Sequence, residues 1–134
     1  MTTNLEVIGD ALRELGVLSE TETASAEQGL HGLRKLNEMM EAWTEDGIQL
    51  GYFAQSATTD TCPVPAWALR AVKACLAPEL APTYGATISP VLAVKINDAY
   101  LALLRKVLVE GMEPADMSGM PQGSGYGSFV DITR

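Results

Sequence analysis

Four stretches of this chain repeat their apolar residues at helical spacing, each marked by helix start or stop signals, and that leaves a helical bundle as the natural fold. The first helix is expected from about Asn4 to Leu15. Thr3 can cap it, Glu6 completes a capping box, and Gly16 stops it. Its stripe is Leu5, Ile8, Ala11, Leu12 and Leu15. The second starts after Ser25, with Gln28 as the reciprocal partner, and runs to about Asp46, where Gly47 closes it. Leu30, Leu33, Leu36, Asn37, Met40 and Trp43 trace its inner face, while Glu27, Glu38, Glu41 and Glu45 fall mostly outside. Gly29 and Gly32 each cost a helix up to about 1 kcal/mol. Their spacing leaves a shallow groove where a neighbouring helix can come close.

The third helix is expected from about Pro65, a good first helical residue, to Ala81, with Pro78 kinking or splitting it and APTYGATIS forming a turn. The fourth has the cleanest start, Ser89 as cap and Pro90 as first residue, and runs to about Glu110 before Gly111. Val91, Val94, Leu101, Leu104 and Leu108 are its expected core face, and Lys95, Asp98, Arg105 and Lys106 its solvated one. Leu33, Trp43, Leu76, Leu101 and Leu104 are the side chains expected to be largely buried.

Between the second and third helices, Ile48 to Ala54 (IQLGYFA) reads as a short strand or extended arm, and Gln55 to Val64 as a loop. After Gly111 the helical period disappears and Gly, Ser and Pro accumulate. A segment of that composition cannot bury enough apolar surface to fold alone. Its end, SFVDITR, is β-prone, with Phe129 and Asp131 alternating against Val130 and Ile132, which suits adding a strand to another protein or filling its pockets. Met112, Met117 and Met120 in the same segment suit a binding surface. The fold read from the sequence is therefore all-α: a compact bundle of about four helices, residues 1–111, with a short extended arm, followed by an extended Gly-rich C-terminal tail, 112–134. At 134 residues it is one domain, large enough to fold without a disulfide or metal.

Charge and chemistry narrow the function. The formal net charge of -8 resides wholly in residues 1–60, where eleven acids face three bases; residues 61–134 balance six against six. An acidic half argues against gripping phosphate, yet a negative wall would let DNA slide past. Two cysteines, Cys62 and Cys75, and a single histidine, His31, form no zinc pattern, and reduced thiols are expected. The start MTTNLEVIGD has no basic region and no long apolar run, so no signal peptide is expected; no apolar run is able to span a membrane, and there is no phosphate loop, GxSxG or HExxH. The chain is expected to be made in a cytoplasm, to need no cofactor and to be no enzyme. Glu41 and Glu45, one turn apart, could serve acid–base work on sugars, but the plainer reading is a solvated helix face. His31 reads as a surface or packing residue. Trp43 and Trp67 could stack on a base or sugar, but read better as core or interface residues.

Four features in order carry a resemblance: ALRELGVLSETETASAEQGLHGLRKLNEMMEAWTEDGI, VPAWALRAVKACLAPELAPTYG, the Ser89-Pro90 helix start, and the Gly-rich end. Over roughly Leu5 to Val109 this resembles the tail accessory factors of short-tailed phages, also called packaged-DNA stabilisation or head-to-tail adaptor proteins. The resemblance implies a non-enzymatic virion protein at the capsid portal vertex, or neck, forming a ring of identical copies, usually twelve, below the portal protein. Such a ring extends the DNA channel, retains packaged DNA without binding it specifically, and docks tail or nozzle proteins. It implies portal contacts through the tail, for which Tyr126, Phe129, Val130, Ile132 and Arg134 are the candidates. Inter-subunit or tail contacts fall to the arm, at Ile48, Leu50, Tyr52 and Phe53. The chain is shorter than the family's pattern, and its last residues align with no family motif. Three other readings stand beside this one. They are a head-completion or tail-terminator connector of long-tailed phages, a peptidoglycan-cleaving virion protein using Glu41 or Glu45, and a cytoplasmic helical regulator.

Overall fold

A computed structural model describes residues 2–111. It contains α1 (Asn4–Glu14), α2 (Ala26–Glu45), α3 (Ala66–Tyr84) and α4 (Pro90–Gly111). Both capping boxes form as the sequence implies. The Thr3 and Ser25 side chains accept from the backbone N–H of Glu6 and Gln28, whose side chains accept in return from the cap backbone. Ser89 Oγ accepts from Leu92 N at 3.1 Å. Gly16 and Gly47 follow the first two helices with φ of 79° and 94°, a left-handed conformation that a Cβ would strain.

α1 packs along α3, α3 along α4, and α2 covers α1 and α3. One core runs through them: Val7, Ile8 and Leu12 of α1; Leu33, Leu36, Met40 and Trp43 of α2; Val72, Leu76 and Leu80 of α3; Ala99 and Leu103 of α4. Ion pairs lace its rim. Asp10 joins Lys73 of α3 at 2.8 Å, and Glu14 joins Lys95 of α4 at 2.8 Å. Exposed pairs of this kind contribute little each.

Four sequence expectations change. Pro78 does not split α3, which runs on through Pro82 to Tyr84, where Gly85 caps it at φ 65°. An interior proline costs about 3 kcal/mol; burial of Leu76 and Leu80 on either side of Pro78, about 1.5–3 kcal/mol each, offsets it. Pro65 is the N-cap of α3, with ψ 149°, rather than its first residue. The largest change concerns α4. Val91, Val94, Leu101 and Leu108 are exposed and Leu104 is half-buried, while Leu92, Ala99 and Leu103 face the core with Ile96, Tyr100 and Val107 beside them. The helix carries two apolar faces, and the bundle buries the one spaced 92, 96, 99, 103, 107. Leu30, expected on the inner face of α2, is likewise exposed.

Candidate functional site

Residues 48–64 leave α2 and return to α1 without forming a strand. They supply what the N-terminus of α1 lacks. Its first amides have no intrahelical acceptor, and here Asn4 N donates to the Asp60 carbonyl at 2.9 Å and Leu5 N to the Thr58 carbonyl at 2.9 Å. Cys62 N donates to the Thr2 carbonyl at 2.9 Å, and an isolated antiparallel bridge joins Thr3 to Thr61. The arm residues thus belong to a segment tied down at both ends.

A buried polar knot fixes its middle. The Asn4 side-chain amide donates to Gln55 Oε1 and to the Ala57 carbonyl, both at 3.0 Å. Asn37 Nδ2 donates to the Gln55 carbonyl at 3.0 Å, and Asn37 Oδ1 accepts from Gln55 N at 3.0 Å and from the Tyr52 hydroxyl. Gln55 Nε2 closes the turn on the Phe53 carbonyl at 2.8 Å. Burying such amides is tolerable because nearly all their capacity is satisfied; Asn4 Oδ1 alone among them has no partner. Burial, and then the neighbouring Cys62, hold the Tyr52 hydroxyl well above its ordinary pKa, so it is a donor at any physiological pH.

The arm candidates divide on this frame. Ile48 and Leu50 point into the core, and Tyr52 is half-buried. Phe53 is 67% exposed, held in place because its own carbonyl is gripped by Gln55. Beside it runs an open groove of about 390 Å³ between the arm and α2, lined by Tyr52, Phe53 and Met40 together with Arg34, Glu41 and Glu45. Leu30 lies one turn before Arg34 on the same face of α2. The portal candidates Tyr126, Phe129, Val130, Ile132 and Arg134 lie outside the described residues, as does the whole tail.

The reactive side chains are placed for structure. His31 Nε2 lies 2.9 Å from Thr83 Oγ1, and the ring meets Tyr84 edge-on at 6.2 Å between centroids. Both cysteines are free. Burial pushes each thiol up to about 11, with Glu79 adding to the effect at Cys75, whereas a nucleophile needs the opposite shift. Trp43 is buried against Tyr100, with centroids 5.9 Å apart, and Trp67 is partly exposed with Lys106 Nζ 5.7 Å from its ring centroid. Among the described residues no three His, Cys, Asp or Glu side chains are grouped to hold a metal ion. No described helix is long and apolar enough to cross a membrane.

Nothing local in the sequence marks Asn4 and Gln55, which shape the arm, because a polar residue at a helix start or in a loop looks solvated until the fold closes over it. The second face of α4 does carry a signal: Leu92, Ile96, Ala99 and Leu103 keep helical spacing as well as Val91, Val94, Leu101 and Leu108 do. A family model described as the P22 tail accessory factor matches residues 1–132. No curated protein matches the chain.

Proposed function

The chain belongs to the P22 tail accessory factor family, structural components of the phage virion, and from that premise we propose that it is a head-to-tail adaptor: copies form a ring, twelve by the family resemblance, below the portal protein. The ring continues the DNA channel, retains the packaged genome and offers a platform to tail components. The match along nearly the whole chain carries this reading. Its physical character supports it. The body is a tied-down helical bundle whose thiols are suppressed and whose acidic side chains lie on the surface, a build suited to assembly and to letting DNA pass.

In this reading the tail, 112–134, attaches to the portal through Tyr126, Phe129, Val130, Ile132 and Arg134, while Phe53 and Tyr52 serve contacts with a neighbouring copy or tail protein. The test is native mass spectrometry of the portal ring mixed with the chain, which should gain a ring's worth of copies. A chain ended after Gly111 keeps every core residue named above, so it should retain its helical circular dichroism but fail to join the portal. Phe129→Ala should weaken attachment by roughly 1–3 kcal/mol, the scale of an interface anchor. Unchanged attachment of the shortened chain would move portal binding onto the helical body.

A further inference from the structure

The second apolar face of α4 needs a cover, and the groove beside Phe53 needs an occupant. On α4, Val94, Leu101 and Leu108 recur every seven residues and are all exposed, with Val91 80% exposed at the start of the same stripe. At about 100° per residue they lie directly opposite Leu92, Ala99 and Leu103, which face the core. A four-position stripe of this kind is the seam of a helix that packs on both sides.

Two charged residues interrupt the stripe, Asp98 and Arg105, seven residues apart. The groove face of α2 carries Arg34 and Glu41, also seven apart, with the signs reversed. Seven helical residues rise about 10.5 Å on either helix. None of the four side chains has an ion-pair partner among the described residues. Laying the stripe along the groove sets Asp98 against Arg34 and Arg105 against Glu41, with Leu101 between them facing Phe53 on the arm.

The two patches cannot meet within one chain. α2 turns Trp43 toward Tyr100 of α4, and the groove face lies on the other side of α2 from Trp43. We propose that the outer stripe of α4 docks into the α2–arm groove of a second copy of this chain, joining copies head to tail. The contact is between two different patches, so it repeats from copy to copy instead of closing as a dimer, and it closes into a ring where the rotation between copies allows. This inference rests on the ring reading above and names the surfaces that would make the ring.

Disulfide trapping tests it. The probe is the full-length chain carrying Phe53→Cys and Leu101→Cys; both sites are exposed, and the native Cys62 and Cys75 thiols are suppressed by burial. Mild oxidation should give a ladder of linked oligomers at least tenfold above a control pairing Phe53→Cys with Glu20→Cys, a substitution in the exposed α1–α2 loop. An equimolar mixture of the two single variants should give the cross-linked heterodimer in excess over either homodimer. Charge reversal is the second arm: Arg105→Glu and Glu41→Arg should each reduce trapping about tenfold, and the two together should restore it. Trapping at the control level, or Leu101→Cys homodimers in excess, would overturn the proposal. A chain that joins the portal ring yet traps at the control level sinks this interface and leaves the adaptor reading standing. A chain that traps but joins no portal ring does the reverse.

Discussion

Leu101 and Leu103 stand two residues apart on one helix and do different work. Leu103 is 2% exposed in the core, whereas Leu101 is 40% exposed on the outer stripe. Truncating Leu103 to Ala should cost about 2–5 kcal/mol in urea denaturation, the range for a buried leucine leaving a cavity. Leu101→Ala should cost clearly less, about 1 kcal/mol, since the side chain is 40% exposed and leaves no enclosed cavity. The reverse order would mean that α4 is rotated by half a turn. The thiols predict a pH effect. Cys62 and Cys75 are raised from 9.0 to about 11 in the folded chain. Between those values an unfolded chain releases thiol protons that the folded one retains. The unfolded state then binds fewer protons, so stability is complete below about pH 9 and falls as pH rises through 11. Urea midpoints measured from pH 8 to 11 should decline, and the decline should be shallower in the Cys62→Ala, Cys75→Ala double variant.

Between elements, Gly32 sets how closely α2 approaches α1. A Cβ built there would lie 2.4 Å from Ile8 Cγ2, a distance no packed pair tolerates. Ile8 is fully buried, so it cannot swing aside. Gly32→Ala should therefore destabilise by about 1–3 kcal/mol despite the better helix propensity of alanine. Ile8→Ala removes both Cγ atoms that this Cβ would meet, so Gly32→Ala combined with Ile8→Ala should lose less in thermal melts than the sum of the two single losses. A neutral or stabilising Gly32→Ala would show that the two helices are not in this contact. The spacing of Gly29 and Gly32 announced a close approach in the sequence; that α1 makes it, through Ile8, needed the fold. The helix starts were legible for a local reason, because a capping box satisfies itself within four residues. The run of α3 past Pro78 was not, since distant side chains packed around the proline hold that helix together.

The whole molecule is electrically lopsided. Residues 1–60 carry the entire net charge of -8, and part of the positive charge on α3 and α4 is already matched, Lys73 with Asp10 and Lys95 with Glu14. Among the described residues Arg13, Arg70, Lys73 and Lys95 do line one surface, but Asp10 and Glu14 sit among them and pair with three of the four, so little net positive charge faces a phosphate backbone. Gel-shift titration with random duplex DNA at physiological salt should show no binding tighter than the micromolar range typical of non-specific contacts. Submicromolar binding would require a DNA-gripping role in place of a passive channel wall.

The starts of α1, α2 and α4, their caps and the placing of the arm after α2 were determined by the sequence alone. Each depends on signals that act within a turn or two: a hydroxyl reaching an amide three residues on, a glycine at positive φ, a serine before a proline. The tertiary structure decided which face of α4 turns inward, because both faces carry apolar residues at helical spacing and the choice follows from how α4 packs on α3 and meets Trp43 of α2. It also decided that Ile48 and Leu50 anchor the arm while Phe53 stands clear. That division comes from Asn4, Asn37 and Gln55, which meet across more than fifty residues of chain at their widest and hold the backbone where no local preference would place it.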